Sequence, residues 1–334
     1  MTETEQTTFY PWLTGAWQRI MQQLDAGRLP HALLLHGANG LGKHQFALQL
    51  AARLLCDQPV AQLACGHCRS CTLFRTGAHP DFLHIQPEEE GKVIKVDMIR
   101  SLASFTNLAS QYMGRKVVII EPAESMNRSA FNSLLKTLEE PAGQVILILV
   151  SSVPAALPAT IKSRCQKLAI QKPDMETVKN WLLQQDPAIG NVDVLYHLAC
   201  GSPLRALALH TNDLPAVRDL LLGDLESLIN RQQDPVSVAA NWHKFAEKEP
   251  IYWLKAWLDD MVHLKQAPQG SKIMNIDMRE RLQALVNQLD LRAIYNYMDF
   301  VSESVRTSAR IAINPQLMLE DLLIRWSNIK RATQ

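Results

Sequence analysis

The segment from Gly37 to His44 reads GANGLGKH and has the glycines and the lysine of a phosphate-binding loop. In such a loop the glycines let backbone N–H groups face the phosphates, the lysine neutralises them, and a Ser or Thr hydroxyl holds Mg²⁺. His44 stands where that hydroxyl belongs. Because imidazole is a poor ligand for a hard, oxygen-seeking cation, the segment predicts a nucleotide-binding scaffold that has lost its catalytic metal.

A second departure from an ATPase follows the apolar run that ends at Ile120. Glu121 stands on the magnesium side of the acidic pair expected there, but Pro122 replaces the carboxylate that would polarise the attacking water. Two separate losses, at His44 and at Pro122, predict that the chain does not hydrolyse ATP by itself. Glu124 is interpreted as a solvated acid at a helix start, where it favours the helix dipole.

Four of the six cysteines lie between positions 56 and 71. Cys65, Cys68 and Cys71 are each separated by two residues, and Cys56 lies upstream of them. A CxxC turn lets two thiolates reach one ion, and Gly66 can adopt the backbone angles that such a turn needs. The spacing predicts a structural zinc ion that is held by four thiolates and has no open position for catalysis.

Two alternatives to this zinc site stay open. The cysteines can be reduced and packed without a metal, or His67 or His79 can replace Cys56 as the fourth ligand. Cys165 and Cys200 are isolated. This distribution fits a metal site in a reducing compartment better than a disulfide framework.

Composition narrows the classes of function. With 334 residues and 47% hydrophobic side chains, the chain can form two or three domains. A formal net charge of +1 gives no reason to expect strong autonomous binding to DNA or to acidic lipid. The amino terminus has no apolar signal region, and the longest apolar run, Val145 to Val150, is too short to cross a bilayer. A cytoplasmic location is the expectation.

The first half of the chain alternates short apolar segments with amphipathic ones, which predicts a parallel sheet covered by helices on both faces. Strands are predicted at Leu33–Leu35, Val93–Val96, Val117–Ile120, Val145–Val150 and Leu168–Ile170. Helices are predicted from Lys43, from Asp97 as an N-cap, from Asn127 to just before Pro141, and over Ala159–Ser163.

The remaining chain predicts helices only. Lys172, Pro173 and Asp174 read as a linker, so the first domain is placed at residues 1–171, with the zinc module at about 56–71. A small helical domain is predicted over 172–209 and a larger helical domain over 210–334. The tryptophans of the larger domain are interpreted as core residues; they are Trp242, Trp253, Trp257 and Trp326.

Arg164 stands between Ser163 and Cys165, at the predicted end of a short helix. An arginine in such a place is suited to reach the nucleotide of a neighbouring subunit. A guanidinium against the γ-phosphate stabilises transition-state charge and accelerates hydrolysis by about 10³ to 10⁵. From spacing alone, however, an isolated arginine is more often a surface ion-pair residue.

Five segments together resemble the clamp-loader branch of the AAA+ ATPases that belongs to bacterial DNA polymerase III. They are GANGLGKH from Gly37, the cysteine cluster, VVIIEPAESMN from Val117, SAFNSLLKTLEEP from Ser129, and LPATIKSRCQKL from Leu157. The LLKTLEEP and SRC segments are distinctive of clamp loaders, whereas the glycine loop alone is not.

The resemblance implies an α/β fold: an AAA+ P-loop domain with a parallel sheet and a zinc module, then a small helical lid domain and an all-α collar domain for oligomerisation. The family's arginine finger falls on Arg164, and its lid-domain arginine falls on Arg205 within GSPLRAL. Gly37, Gly42 and Lys43 complete, with Arg205, a degenerate nucleotide site. ATP is not expected to bind there productively, and zinc is the expected cofactor.

The resemblance also implies a place in a hetero-pentamer. Its other members are ATP-binding gamma or tau subunits and a delta subunit that opens the sliding clamp for loading onto primed DNA. The chain is then a subunit of a DNA-directed DNA polymerase, a nucleotidyltransferase, without activity of its own and without a membrane partner.

Two other functions compete with this expectation. The intact glycines and Lys43 suit an active AAA+ ATPase, and the four cysteines suit a zinc-dependent DNA-binding module. The near-neutral charge argues against the second function.

Overall fold

The computed structural model describes residues 9–89, 91–107, 110–112, 114–141, 143–212, 214–245, 248–267, 270, 273–308 and 314–330. The chain divides into two compact units. The first unit contains residues 1–181 together with 202–205, and the second contains residues 182–201 and 206–334.

The first unit is built on a parallel sheet that has five strands within the described residues. The strands are β1 (Ala32–His36), β2 (Phe82–Ile85), β3 (Arg115–Ile120), β4 (Gln144–Ser151) and β5 (Gln166–Ala169). Their order is β2-β3-β4-β1-β5. Strand β1 is hydrogen-bonded to β4 on one side and to β5 on the other, so the loop that follows β1 leaves the sheet between two paired neighbours.

The edge strand β2 corrects the sequence-based prediction. The prediction of a strand over Val93–Val96 is wrong, because Ile94 makes only an isolated bridge to Met126 and a helix begins at Val96. Asp97 consequently lies in the first turn of that helix and is not its N-cap. The true edge strand escapes notice in the sequence because its four residues are mostly half-buried and include the polar His84.

Helices cover both faces of the sheet. They are α1 (Thr14–Asp25), α2 (Lys43–Leu55), α3 (Arg69–Arg75), α4 (Val96–Asn107), α5 (Arg128–Glu139) and α6 (Ala159–Arg164). A further helix, α7 (Met175–Gln185), begins in the first unit. The predicted start at Asn127 is confirmed, since its side chain accepts a hydrogen bond from Ala130 N–H and caps α5.

The strand residues alternate between two cores. Val117 and Ile119 of β3 pack with residues of α1 and α2, and Val118 and Ile120 pack on the opposite face with residues of α4 and α5. Both faces of β3 are therefore apolar, as expected for a central strand of a parallel sheet.

The second unit contains helices α8 (Val192–Leu198), α10 (Leu214–Ile229), α11 (Pro235–Trp242), α12 (Lys248–Gln266), α13 (Arg279–Gln288), α14 (Leu291–Ser308) and α15 (Pro315–Ser327). Helix α9 (Pro203–Thr211) begins in the first unit and ends in the second. Among the helices that the structure describes, none has the length and apolar character needed to cross a membrane. The three-domain division with boundaries after residues 171 and 209 stays a prediction.

The tryptophans of the second unit form core, as predicted. Trp242, Trp253, Trp257 and Trp326 are fully buried. Two of them also satisfy their indole N–H: Trp242 donates to Asp224 Oδ2 at 2.9 Å and Trp326 to the Leu225 carbonyl at 3.0 Å.

A buried arginine joins α10 to the segment before α13. Arg218 is 1% exposed, and its Nη2 lies 2.7 and 2.9 Å from the two carboxylate oxygens of Asp277. Its Nε donates to Asn275 Oδ1 at 3.2 Å, and Asn275 in turn donates to Asp260. Removing Arg218 leaves the buried Asn275 side chain without this donor, whereas the Asp277 side chain is 28% exposed and stays partly solvated.

We expect Arg218→Leu to lower the free energy of unfolding by about 2 kcal/mol, because the buried Asn275 loses a donor and the partly exposed Asp277 loses its cation. Arg306→Leu is the control: its pair with Glu303 is about two-thirds exposed on both sides, and such pairs contribute about 0.5 kcal/mol or less. Urea denaturation followed by circular dichroism measures both, and equal losses would contradict the assigned role of Arg218.

Candidate functional site

The glycine loop lies at the carboxyl end of β1 and leads directly into α2. Gly42 has a φ of 80°, a left-handed conformation that favours glycine. A Cβ at Gly42 would lie 2.5 Å from a carbon of the Tyr10 ring, and one at Gly37 would lie 2.4 Å from the Ile170 carbonyl oxygen. The glycines thus let other parts of the chain approach the loop closely.

An aromatic cluster packs beside this loop. The rings of Tyr10 and Trp12 are stacked with centroids 5.0 Å apart, and Trp181 meets both edge-on. The Trp12 indole N–H donates to the Leu41 carbonyl at 2.9 Å. This bond ties the amino-terminal segment to the backbone of the loop.

Lys43, the residue that would neutralise a bound phosphate, is turned into the protein. It is 5% exposed, and its Nζ donates to the carbonyl oxygens of Gly37 at 2.9 Å and Ala38 at 2.7 Å and to Ser152 Oγ at 3.0 Å. Burial lowers the pKa of Lys43, and the carboxylates of Glu121 and Glu124 oppose this shift. All three donors are engaged, so a phosphate would have to displace at least one of these bonds.

The two positions that would hold Mg²⁺ in an ATPase are bonded to each other. His44 Nδ1 lies 2.5 Å from Glu121 Oε2. Pro122, the residue that replaces the water-polarising carboxylate, is exposed directly after Glu121. The arrangement offers no oxygen-rich ligand set for Mg²⁺ among these residues.

Glu124 lies in the first turn of a short 3-10 helix (Ala123–Ser125), as predicted, but its carboxylate is not simply solvated. Its Oε1 accepts hydrogen bonds from the backbone N–H groups of Ser152 at 2.9 Å and Val153 at 3.2 Å, just beyond β4. Its Oε2 is buried and has no hydrogen-bond partner among the described residues. The carboxylate therefore fixes the exit of β4, a long-range contact that the local sequence does not reveal.

The predicted lid-domain arginine lies beside the glycine loop. A Cβ at Gly40 would lie 3.2 Å from Arg205 N and 2.2 Å from Ser202 Oγ. The Leu204 N–H donates to the Gly40 carbonyl at 3.2 Å. The structure thus brings Arg205 to the same loop as Gly37, Gly42 and Lys43, although these positions are separated along the chain.

Arg164 is the last residue of α6. Its Nη2 is 2.5 Å from Glu139 Oε1 at the end of α5, and its Nη1 donates to the Thr160 carbonyl at 3.1 Å. The side chains of Arg164 and Glu139 are 36% and 50% exposed. An ion pair this exposed contributes little free energy, so the guanidinium can leave it at low cost.

The four clustered cysteines meet in space. Four Sγ atoms lie within 4.8 Å of one another, those of Cys56, Cys65, Cys68 and Cys71, and the group could hold a metal ion. The Sγ atoms of Cys56 and Cys68 are 3.9 Å apart, as are those of Cys65 and Cys71. A tetrahedral zinc with Zn–S bonds of about 2.3 Å separates its sulfurs by about 3.8 Å. The geometry fits zinc.

Backbone amides point at three of these sulfur atoms. Cys56 Sγ accepts a hydrogen bond from Cys65 N–H at 3.2 Å. In the two CxxC turns, Cys65 Sγ accepts from Cys68 N–H and Cys68 Sγ accepts from Cys71 N–H, each at 3.4 Å. The amides of His67 and Cys68 and contacts with other thiols lower the pKa of Cys65 to about 6, while burial raises the pKa values of Cys56 and Cys71. Gly66, with a φ of 79°, makes the predicted tight turn between the first pair of ligands.

Neither histidine replaces Cys56 in this cluster. The buried His79 Nδ1 accepts from Asp81 N–H at 3.1 Å, and its Nε2 is 2.8 Å from Ser70 Oγ, so both ring nitrogens are engaged elsewhere. His67 Nδ1 is bonded to the Cys65 carbonyl at 2.9 Å on the exposed side. His79 supports α3 through Ser70, the residue next to Cys71.

Several residues near the loop were not identified from the sequence. Tyr10, Trp12 and Ser152 are distant along the chain and have no recognisable spacing relative to Lys43. His84 could have been identified as a neighbour of the loop only if β2 had been predicted. In that strand it lies two residues after Phe82, on the face that is covered by α2.

The parallel sheet and the glycine loop at the carboxyl end of an interior strand define an α/β domain of the P-loop type, which carries the four-cysteine module and is followed by helices. Family models described as "DNA polymerase III, delta subunit" and "DNA polymerase III, delta subunit, C terminal" match residues 12–174 and 214–328.

The chain belongs to the DNA polymerase III delta-prime family of clamp-loader subunits. It is 34% identical to DNA polymerase III subunit delta' of Pseudomonas aeruginosa over 96% of this chain and 98% of that protein. It is 31% identical to the subunit delta' of Escherichia coli K12 over 95% of each. Subunit tau of Escherichia coli K12 is 34% identical over 48% of this chain and 24% of its own length.

We expect Cys68→Ser to lose most of the metal bound at the cysteine cluster and to lower the unfolding temperature, since metal binding and folding of such a module are coupled. The control is Cys200→Ser, at an exposed thiol outside the cluster. Elemental analysis of protein purified without chelator gives the metal content. Full retention of metal by Cys68→Ser would contradict the four-thiolate site.

Proposed function

We propose that this chain is a non-hydrolysing subunit of the clamp loader, which supports ring assembly and donates Arg164 in trans to the nucleotide of a neighbouring ATPase subunit. The observation that carries the proposal is the bond of 2.5 Å between His44 and Glu121. It joins the two side chains whose counterparts in an ATPase would hold Mg²⁺, so hydrolysis is left to the neighbours.

The engagement of Lys43 supports the same conclusion. Its donors bind two loop carbonyls and Ser152, and Pro122 supplies no base. Gly37, Gly42, Lys43 and Arg205 accordingly form a nucleotide site that we assign no productive role. The loop is retained as a structural element between β1 and α2.

Arg164 is the group that we assign a catalytic role. When it faces no phosphate, the guanidinium is held by Glu139 in a half-exposed pair and by the Thr160 carbonyl. When a neighbouring nucleotide is present, exchanging this pair for a γ-phosphate costs little and places positive charge where the transition state needs it.

The proposed partners follow from the family. They are gamma or tau ATPase subunits and the delta subunit, in a five-membered ring that loads the sliding clamp onto primed DNA in the cytoplasm. We propose a lid role for residues 172–209 and a collar role for residues 210–334, supported by their helical content. We further propose that zinc occupies the four-cysteine module and has a structural role, supported by the fit of the sulfur separations.

Replacing Arg164 tests the arginine finger. In the reconstituted five-subunit complex, Arg164→Ala should still assemble, but DNA-stimulated ATP hydrolysis at the adjoining site should fall by about 10³ or more. Arg100→Ala removes another exposed, ion-paired arginine and should leave turnover unchanged. Glu139→Gln should also retain turnover, because it only frees Arg164. Unchanged hydrolysis in Arg164→Ala would refute the assignment.

The purified chain tests the absence of hydrolysis. With Mg²⁺ and ATP we expect no phosphate release above background, and Lys43→Ala should not change this background, because the metal ligand and the base are both missing. A phosphate-release assay measures this. Substantial turnover that Lys43→Ala abolishes would identify the chain as an active AAA+ ATPase.

A further inference from the structure

Two histidines and a glutamate meet at the carboxyl end of the sheet, outside the cysteine module. One ligand atom from each of His44, His84 and Glu121 lies within 4.8 Å of the other two. Besides the bond of 2.5 Å from His44 Nδ1 to Glu121 Oε2, His84 Nε2 lies 3.9 Å from the same oxygen. The rings of the two histidines have centroids 5.7 Å apart.

The fold brings these three side chains to one face. In the parallel pair β2–β3, Phe82 is opposite Val117 and His84 is opposite Ile119. Val117 and Ile119 face the core under α2, and alternation puts His84 and Glu121 on that same side. Glu121 continues the ladder, since its N–H donates to the Ile85 carbonyl at 3.0 Å.

His44 reaches the cluster from the helix that covers this face. It is the second residue of α2, whose Phe46, Ala47 and Leu50 pack into the same core. The packing of α2 on β3 therefore holds the imidazole over the end of the strand. The three ligands come from three elements of one compact unit.

The cluster contains a polar atom that its protein surroundings do not satisfy. His84 Nε2 is buried and has no hydrogen-bond partner among the described residues. Burial and the neighbouring His44 lower the pKa of His84, although Glu121 opposes the shift. A buried imidazole nitrogen without a partner is a donor atom that a metal ion can engage.

We propose that His44, His84 and Glu121 form a second metal site, which binds a divalent first-row transition ion of the zinc, cobalt or nickel class. Imidazole nitrogen suits these ions and a single carboxylate completes the set, whereas Mg²⁺ prefers oxygen ligands. A histidine at position 44, in place of the P-loop hydroxyl, thus changes which metal ions this position prefers. It does not simply abolish metal binding.

The distances require a small rearrangement. Tetrahedral nitrogen and oxygen ligands at about 2.1 Å from a metal lie about 3.4 Å apart. The His44–Glu121 separation of 2.5 Å is shorter than this value, and the His84–Glu121 separation of 3.9 Å is longer. Since the His44 side chain is 52% exposed, it can move outward as the ion replaces the hydrogen-bonded proton.

The site is expected to be weaker than the cysteine site. It has three ligands instead of four, and the charge of Lys43, which interacts with Glu121, opposes a cation. Three ligands also leave at least one coordination position for water, as in open zinc sites. The cysteine site therefore fills first, and the second site fills on further addition of metal.

Cobalt titration of the full-length, zinc-loaded protein tests the proposal. Co²⁺ at a nitrogen and oxygen site gives weak visible ligand-field bands, whereas exchange into the cysteine site would add intense sulfur charge-transfer bands. We expect one further equivalent of Co²⁺, without sulfur charge transfer and without competition from Mg²⁺. His44→Gln and His84→Gln should each weaken this binding by at least about 10-fold, the lower limit for disturbing even a supporting residue of a metal site.

His243→Gln is the matched control, because His243 is exposed in the second unit and lies outside the cluster. It should bind Co²⁺ like the unchanged protein. Thermal melting of each variant checks that it is folded. If His84→Gln unfolds, His44→Gln still tests the site, because the His44 side chain is exposed. Failure to bind Co²⁺ beyond the cysteine site, or equal affinity in His44→Gln and the unchanged protein, would overturn the proposal.

Discussion

The hydrogen bonding of β1 to both β4 and β5 is the constraint on which the rest of the first unit depends. A central parallel strand cannot shift its register without moving its apolar residues to the wrong core. The loop after β1 is therefore fixed next to the carboxyl ends of its neighbours. This placement brings Lys43 to Ser152 beyond β4, and it brings His44 to Glu121 beyond β3.

The same constraint gives the glycine loop a structural role that does not depend on catalysis. The glycines still permit close approaches by Tyr10, Ile170 and Ser202, and Lys43 holds the loop through its carbonyls. These contacts stabilise the junction of β1 and α2 irrespective of any nucleotide. The residues of the loop thus have a structural role that is independent of nucleotide binding.

Much of the chemistry could be predicted from short-range spacing. The CxxC steps predicted that the thiols of Cys65, Cys68 and Cys71 lie close enough together to bind one ion, because such a turn brings its two cysteines together. Asn127 could be identified as a cap from its place before a helical pattern. By contrast, the edge strand at Phe82–Ile85 was missed and Glu124 was misinterpreted, because neither has a local pattern that reveals its distant partner.

The sequence by itself determined the identity of the groups: a glycine loop with His44 in place of a hydroxyl, a proline in place of a base, and four thiols at metal-binding spacing. Only the tertiary structure decided which groups meet. His84 joins His44 and Glu121 because two parallel strands and a covering helix present them on one face. Glu139 meets Arg164 because α5 and α6 end close together. Side-chain contacts between elements depend on packing, and packing is set by the whole buried core rather than by neighbours along the chain.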